Sequence, residues 1–351
     1  MTDSRDASRV LGTESCAVAS ARPAIGIVIL NWNNYPATRR CLDSLATAQP
    51  AGATAYVVDN GSSDGSMDRL EAEPAGAATV FLRNGENLGF AAGANRGIRR
   101  ALDDGNHYIL LLNNDCIVST PGAIESAVAL AESDPACGIV GGKLLMWPDT
   151  SRIWGVGGSI GLIRDTFTGQ GDPDRGQFDR VAETRFISGA FMLLKANVIA
   201  RLGLLPEEYF FGYEDREYSW RARRAGYRLL YQPAAVVYHE AGMSHEAIDP
   251  MYLYNDALSR ILFKRRTLSP PAYLLWYLAY TVYAFFLLPI RHRSARDAYL
   301  RGLELEAFRA AVLAAIRDAP SLQRISRETL DLFRTRSAGR ALHLERRSGR
   351  K

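Results

Sequence analysis

The chain has 351 residues, of which 47% are hydrophobic and 23% charged, as in a globular protein with one large domain and an appendage. Its formal net charge of +4 is uneven, because residues 291–351 hold 15 Arg and Lys against 7 Asp and Glu. None of the four cysteines is spaced as CxxC, so neither a zinc site nor a disulfide framework is indicated, which suits a reducing cytoplasm.

The chain begins with a polar stretch, residues 1–24, that includes acids and lacks an apolar core. This pattern predicts a disordered lead-in rather than a signal peptide. Strands and helices then alternate. Apolar runs predict strands at 25–30, 55–58, 78–82 and 108–112, and helices are expected over 36–48 and 89–103. Continuously apolar strands that alternate with helices favour a parallel α/β sheet with helices on both faces.

After about residue 140 the pattern changes. A Gly-rich stretch at 151–171 predicts hairpins or loops, and beyond residue 250 the chain is expected to be helical almost to its end. Between these parts we expect short helices at 196–202 and 215–225 and strands at 228–231 and 235–238. The predicted organisation is a lead-in at 1–24, a catalytic domain at 25–249, and a helical region at 250–351 that associates with a membrane or oligomerises.

Polar residues follow each of the first four predicted strands: Asn31 to Asn34, Asp59, Arg83 with Asn84, and Asn113 to Asp115. In an open α/β sheet, ligands bind beyond the carboxyl ends of the strands. One such residue is more often a turn or a helix cap, but four together favour a site. The chain has neither GxGxxG after its first strand nor GxxxxGK[ST]. A diphosphate is therefore most simply held by a divalent cation, and Asp115 suits Mg²⁺ or Mn²⁺.

A second group of polar residues lies near the end of the predicted α/β domain. Glu214 and Asp215 stand at the start of a predicted helix beside several aromatic residues. Acids at a helix start often do no more than complement the helix dipole. The functional interpretation is a carboxylate general base in a site from which aromatic side chains exclude water. His239 ends a predicted strand, and a lone histidine is usually structural.

Seven stretches, taken in order, resemble the inverting family 2 glycosyltransferases of GT-A fold, most closely the rhamnosyltransferase-like branch that builds bacterial polysaccharides. They are IGIVILNWNNY at 25–35, VVDNGSSDGS at 57–66, NGENLGFAAGANRGI at 84–98, ILLLNNDCIV at 109–118, FISGAFMLLK at 186–195, FFGYEDREYSWRARRAGYRLLYQPAAVVYHEAGMS at 210–244 and YNDALSRILFKRR at 254–266. The resemblance implies a Rossmann-like, mostly parallel sheet with flanking helices and a C-terminal helical extension.

The resemblance also implies an inverting single displacement. Asp215 would be the catalytic base, with Glu214 beside it near the sugar or the acceptor. Asp115, with His239, would hold the divalent metal, Mg²⁺ or Mn²⁺. Two positions depart from the family pattern: Asn113 replaces the first Asp of the metal motif, and Glu217 stands where relatives often carry Asp.

The implied donor is a sugar linked to uridine or thymidine diphosphate. Asp59 would hydrogen-bond its pyrimidine ring and Asn31 would frame the nucleotide. The other donor-binding positions implied are Arg83, Asn87, Gly89, Asn95, Asn114, Ser188 and Gly189. The acceptor would be a hydroxyl of a glycan or a polyprenyl-linked glycan, and nucleic acid is not expected as a partner. Two alternatives are a non-catalytic nucleotide-sugar-binding or scaffolding protein and a nucleotidyltransferase, whose Gly-rich basic loop after the first strand is absent here.

Residues 272–290 form a 19-residue stretch without charge, bracketed by the basic clusters 264–266 and 291–293. At helical spacing, its Tyr and Trp residues fall on one side and its aliphatic residues and Phe on the other. Three alternatives stay open: a helix lying in or re-entering the membrane interface, a true span, and burial against the catalytic domain or a second subunit. The first would place the protein at the cytoplasmic face of the membrane.

Overall fold

The fold was analysed in a computed structural model of the chain, which describes residues 23–48, 50–73, 78–162, 165–240, 250–287 and 305–336. The predicted lead-in therefore lies outside the described residues, apart from its last two positions. The predicted helical stretches at 288–304 and 337–351 also lie outside the described residues.

The first half of the chain forms four parallel strands joined by helices. The strands are β1 (Ile25–Asn31), β2 (Ala53–Asp59), β3 (Thr79–Arg83) and β4 (Tyr108–Leu112), in the order β4-β1-β2-β3. The connecting helices are α1 (Tyr35–Ala48), α2 (Ser66–Ala72) and α3 (Phe90–Asp103). Alternate residues of β1 face opposite sides: Ile27 and Ile29 share a core with α1, whereas Val28 packs with α3. This two-sided burial explains why β1 is apolar throughout.

The second half of the chain extends the same sheet. Its strands are β5 (Cys116–Val118), β6 (Cys137–Met146), β7 (Ile153–Gly155), β8 (Gly158–Ser159), β9 (Thr166–Phe167), β10 (Ala182–Thr184), β11 (Phe191–Lys195) and β12 (Arg228–His239). Strands β6 and β12 are parallel, and β11 lies antiparallel between β4 and β6 and so joins the two halves. Strand β5 pairs with the end of β12, while β8 and β9 form a separate hairpin. The helices are α4 (Ala123–Ser133), α5 (Ala196–Leu202) and α6 (Glu214–Arg224).

The predicted α/β architecture with a mostly parallel central sheet is confirmed, but some elements differ in detail. The strands expected at 228–231 and 235–238 are one strand, β12, whose pairing with β6 shifts between Gln232 and Val236. Pro233 lies within this irregularity and has no N–H to donate to the ladder. Helices α2 and α4 and strands β6 and β11 are additional to the elements predicted from the sequence.

The C-terminal part is helical, as expected, and consists of α7 (Pro250–Thr267), α8 (Pro270–Val282), a π-helical turn (Tyr283–Leu287), α9 (Leu305–Asp318) and a helical stretch at 327–336. These helices form a hydrophobic cluster that also takes in Tyr209 and Tyr213, which precede α6. The boundary at residue 250 stays a prediction. Among the described helices, none combines the length and the apolarity that crossing a bilayer requires.

Candidate active site

The ends of β1 and β2 form a polar cradle. Asn31 and Asp59 are paired residues at the last positions of these parallel strands, and both are buried. The Asn31 amide donates to Ser66 Oγ (2.8 Å), Ser62 Oγ (3.1 Å) and Asp59 Oδ1 (3.3 Å). Asp59 Oδ2 also accepts from the Ser62 backbone N–H at 3.1 Å. The Asp59 carboxylate is therefore fixed before any ligand arrives.

A hydrogen-bonded chain connects this cradle with the end of β4. Thr38, on α1, donates to Asn31 Oδ1 at 2.7 Å and accepts from the Asn114 amide at 2.9 Å. Asp115 is the next residue. The side chains of Asp59, at the end of β2, and Asn114, just beyond β4, are thus joined through Asn31 and Thr38, as expected for parallel strands that end at one edge of a sheet. Through this hydrogen bond Asn114 helps to hold the Thr38 side chain in place.

The metal-binding candidates are Asp115 and His239. His239 pairs with Cys116 across β12 and β5, and its Nε2 lies 3.2 Å from Asp115 Oδ1. Asp115 Oδ1 and His239 Nδ1 are buried and have no hydrogen-bond partner among the described residues. Cys116 is close enough to join them, but burial raises the pKa of its thiol far above its ordinary value, and it donates to Ala190 O. A carboxylate and an imidazole, completed by phosphate oxygens, fit Mg²⁺ or Mn²⁺.

The base candidate stands at the start of α6. Gly212 and Tyr213 both have left-handed φ angles, 78° and 77°, and this turn directs the first residues of α6 inward. Asp215 Oδ2 accepts from Gly189 N (3.1 Å), and Oδ1 accepts from Arg216 N (2.7 Å). Burial raises the pKa of Asp215, while the positive charge of Arg216 and these backbone donors oppose that rise.

Glu214 has different surroundings from its neighbour. It is buried, and its Oε2 has no hydrogen-bond partner among the described residues. Burial, together with the negative charge of Asp215, raises the pKa of Glu214 to about 8. The two adjacent carboxyls titrate as a pair, and burial favours the protonated form of Glu214.

The segment before β11 connects the base with the end of β4. Gly189 N donates to Asp215, and the next residue, Ala190, accepts from Asn113 N at 3.1 Å. Ser188 Oγ accepts from Ala190 N at 3.2 Å and so helps to shape this turn. The structure thus joins Asp215 to the strand end that carries Asp115, with Ser188 and Gly189 between them.

The loop from Asn84 to Gly89 also lies at this edge of the sheet. Asn87 Oδ1 accepts from Asn60 Nδ2 (3.0 Å) and from Gly89 N (2.9 Å), so Asn87 shapes the loop. Gly89 has φ 85°, and a Cβ there would lie 2.6 Å from Phe210 O. A glycine is required here by both its conformation and the lack of space.

Two predicted donor-binding residues are not brought to the cluster. Arg83 is 46% exposed and forms ion pairs with Asp68 (2.6 Å) and Glu71 (2.8 Å) on α2. The buried Asn95 donates to Leu205 O (2.9 Å) and accepts from Leu205 N (3.1 Å). Asn95 thus ties α3 to the segment before α6, and we leave both residues out of the proposed site.

Glu217 serves as an anchor rather than a catalytic group. Its carboxylate accepts from Arg266 Nε (2.7 Å) and Nη2 (2.9 Å), from Tyr209 OH (2.6 Å) and from Arg221 Nη2 (2.9 Å). Burial raises the pKa of Glu217, but these hydrogen bonds together hold it below its ordinary value. A carboxylate with four donors joins α6 to α7 and has no capacity left for a substrate proton.

The mostly parallel sheet, its polar edge and the buried acid pair fit a transferase of GT-A fold, and the comparisons agree. Residues 23–250 match the family described as "Glycosyltransferase like family 2", and the chain belongs to this family. It is a glycosyltransferase.

Among curated proteins, the chain is 26% identical over 238 residues to N-acetylglucosaminyl-diphospho-decaprenol L-rhamnosyltransferase of Mycobacterium tuberculosis, covering 62% of this chain and 76% of that protein. It is 26% identical over 185 residues to poly-beta-1,6-N-acetyl-D-glucosamine synthase of Staphylococcus aureus, covering 51% and 41%. A mannosyltransferase from Pyrobaculum calidifontis, solved with GDP-Man and Mn²⁺, has the same fold, with a TM-score of 0.55, 17% identity and coverage of 86% and 88%.

Proposed function

We propose that this glycosyltransferase moves a hexosyl group, with inversion, from a UDP- or dTDP-linked sugar to a hydroxyl of a glycan or lipid-linked acceptor. The observation that carries the proposal is the junction at Gly189 and Ala190. These two residues hydrogen-bond to Asp215 on one side and to Asn113 on the other. This junction links the base candidate to the strand end that carries the residues suited to a metal-bound diphosphate, which supports a single displacement.

The relatives favour this substrate class. One is named as a rhamnosyltransferase acting on a diphospho-decaprenol-linked acceptor, and another as a synthase of an N-acetylglucosamine polymer. The first name states transfer of a sugar to a lipid-linked acceptor, and the second states synthesis of a sugar polymer. We therefore propose a role in polysaccharide or cell-wall biosynthesis with a lipid-linked or polymeric acceptor.

Each residue of the pocket has a distinct proposed role. Asp59 hydrogen-bonds the pyrimidine ring, and Asn31 holds Asp59 in place. Asp115 and His239 would bind Mg²⁺ or Mn²⁺, which neutralises negative charge on the departing diphosphate when bound. Asp215 accepts the proton of the acceptor hydroxyl as that oxygen bonds to the anomeric carbon. The protonated Glu214 donates a hydrogen bond to a sugar or acceptor oxygen beside it.

The exposed face of α8 supports a further part of the proposal, peripheral attachment to anionic lipid. Six apolar residues, Leu274, Leu275, Leu278, Val282, Phe285 and Phe286, are between 43% and 70% exposed and share one side of α8 and its π-helical turn. The Tyr and Trp residues of the segment face inward: Trp276 is buried and donates to Leu162 O at 2.7 Å. An apolar face of this size is typical of a docking surface.

Asp215→Asn is the direct test of the catalytic proposal. Because removing a positioned general base typically costs about 10²- to 10⁴-fold, transfer should fall by that much while donor affinity stays near normal. Turnover is measured with UDP- and dTDP-sugars and Mg²⁺ or Mn²⁺, and donor affinity by thermal shift.

Asp103→Asn is the matched control, since Asp103 is exposed at the end of α3. Near-normal transfer by Asp215→Asn would remove Asp215 from its role. A wild-type chain that binds a sugar nucleotide but neither transfers nor hydrolyses it would instead support the non-catalytic binding or scaffolding alternative.

A further inference from the structure

The side chain next to the base, Arg216, is largely buried and enclosed by aromatic rings. Its guanidinium carbon lies 4.6 Å from the ring centre of Tyr213, 4.9 Å from that of Phe186 and 5.6 Å from that of Phe167. Cations over aromatic faces are attracted electrostatically, more strongly when little water is present. These three rings restrict the positions that the guanidinium can take.

Acids on two sides complete the surroundings of Arg216. Its Nη1 lies 3.4 Å from Asp215 Oδ1, the same oxygen that accepts from the Arg216 backbone N–H. Its Nε lies 3.5 Å from Asp165 Oδ2, just before β9. Asp165 is itself fixed, because its Oδ1 accepts from Gly161 N at 3.1 Å. Arg216 is therefore held between the base and an acid of the β8–β9 hairpin.

A buried general base needs such a partner. Burial favours the neutral form of Asp215, and a neutral carboxylic acid cannot accept the acceptor proton. Within the described residues, Arg216 is the cation in ion-pair contact with Asp215. Burial lowers the pKa of Arg216, but Asp215, Tyr213 and Asp165 together raise it above its ordinary value, so the guanidinium stays charged.

The other charged groups nearby do not replace this contact. Burial raises the pKa of Glu214 on α6, and neither Glu214 nor Asp165 offers a positive charge that could stabilise an ionised Asp215. On α7, Asp256 and Arg260 lie 3.6 Å apart as an ion pair, and burial raises the pKa of the half-buried Tyr252 beside them.

We propose that Arg216 is a positioning residue that keeps the Asp215 carboxylate ionised and fixes the direction of its Oδ1. This inference rests on the proposed role of Asp215 as the base. It assigns a function to the residue between Asp215 and Glu217, and to the β8–β9 hairpin that supplies Asp165.

The test compares Arg216→Met and Arg216→Lys with the wild type in pH profiles of kcat at saturating donor. An adjacent opposite charge typically lowers the pKa of a carboxyl by about one to three units. In Arg216→Met the acidic limb should therefore move to higher pH by about one unit or more, roughly a tenfold loss on that limb. Arg216→Lys keeps the charge without the planar fork and should lie closer to the wild type.

Arg223→Met is the matched control, because Arg223 is exposed on the same helix. Thermal unfolding checks that each variant is folded. If Arg216→Met does not accumulate as folded protein, Arg216→Gln is used instead. A folded Met or Gln variant whose acidic limb stays at the wild-type pH would overturn the inference. The same conclusion would follow if the acidic limbs of the Met and Lys variants lay at the same pH.

Asp215→Asn separates this inference from the proposed function. If Asp215→Asn keeps its activity, the proposed base itself is wrong. If Asp215→Asn is inactive and the limb of the neutral Arg216 variant does not move, only the role of Arg216 is wrong.

Discussion

Two adjacent carboxyl groups, Glu214 and Asp215, acquire different protonation states from their immediate contacts. Asp215 accepts two backbone N–H groups and lies beside a guanidinium, all of which favour its charged form. Glu214 Oε2 is buried and has no donor in the described part of the chain, which favours its neutral form. Groups whose surroundings move their pKa values apart commonly divide the acid and base roles of a site.

The pKa of Glu214 leads to a prediction about stability. Because the folded chain holds this proton up to a pH of about 8 and an ordinary glutamate loses it near 4.5, the folded state binds more protons between these values. The contribution of Glu214 to stability is therefore fully present below about pH 4.5 and is lost as the pH rises towards 8. Glu214→Gln removes this dependence, so the melting temperature of the wild type should fall relative to the variant across that range.

The measurement is thermal unfolding of both proteins at several pH values. Glu125→Gln is the control, since Glu125 is exposed on α4. If the melting temperatures of wild type and Glu214→Gln change in parallel from pH 5 to 8, Glu214 ionises normally in the folded chain.

At the level of elements, the helix that carries the base is held by the C-terminal helices through Glu217. Its bonds to Arg266 connect α6 with α7, and its bond to Tyr209 fixes the segment before α6. The position of Asp215 therefore depends on helices that follow the catalytic sheet in sequence.

Glu217→Gln tests this anchoring. Hydrogen bonds to charged groups contribute about 1.5–3 kcal/mol each, so we expect a loss of about that size in the free energy of unfolding. The pH profile of transfer should keep its shape, because Glu217 is not the base. Denaturant unfolding and the profile are both measured, with Glu328→Gln at an exposed position as the control. A 100-fold loss of transfer with unchanged stability would instead assign Glu217 to the chemistry.

The sequence predicts the strands that are apolar along their whole length, such as β1, β2 and β4. Strand β6 escapes prediction because glycines and a lysine interrupt its apolar run. Its own contacts require them: a Cβ on Gly142 would lie 2.5 Å from Ala235 O, and the buried Lys143 pairs with Asp174 (2.6 Å) and Asp179 (2.7 Å). These partners are 30 or more residues away, and local pattern carries no sign of them.

In the candidate site, too, local sequence pattern reveals the residues at strand ends but not those defined by distant partners. Asn31, Asp59 and Asp115 are predictable, because each lies at or just beyond the carboxyl end of a parallel strand and such strand ends meet at one edge of the sheet. Thr38 and Arg216 are missed, because what distinguishes them is contact with distant residues. Arg83 and Asn95 stand at suitable places in sequence, but α2 and the segment before α6 provide their partners instead.

At the scale of the whole molecule, α8 buries one of its two faces and exposes the other. Its Tyr and Trp residues pack inward, with Trp276 and Tyr280 stacked at 4.9 Å, and its aliphatic residues face outward. The basic cluster before it is occupied within the protein: Lys264 is buried, Arg266 binds Glu217 and Arg265 donates to Ala319 O. We therefore expect the basic tail, residues 291–351, to supply positive charge for anionic lipid, and its Arg324, Arg327, Arg334 and Arg336 are exposed.

Flotation with liposomes tests the attachment of the full chain. Leu275→Glu with Phe286→Glu places two charges on the exposed face of α8 and should abolish recovery with anionic liposomes, because charged groups resist burial among acyl chains. Val181→Glu with Ala46→Glu places two charges at exposed apolar residues elsewhere and should leave recovery unchanged. Less wild-type protein should be recovered with neutral liposomes, since the basic tail then has no anionic partner. If the wild type stays unbound and instead forms a dimer that the first pair of substitutions dissociates, α8 contacts a second copy of the chain and not lipid.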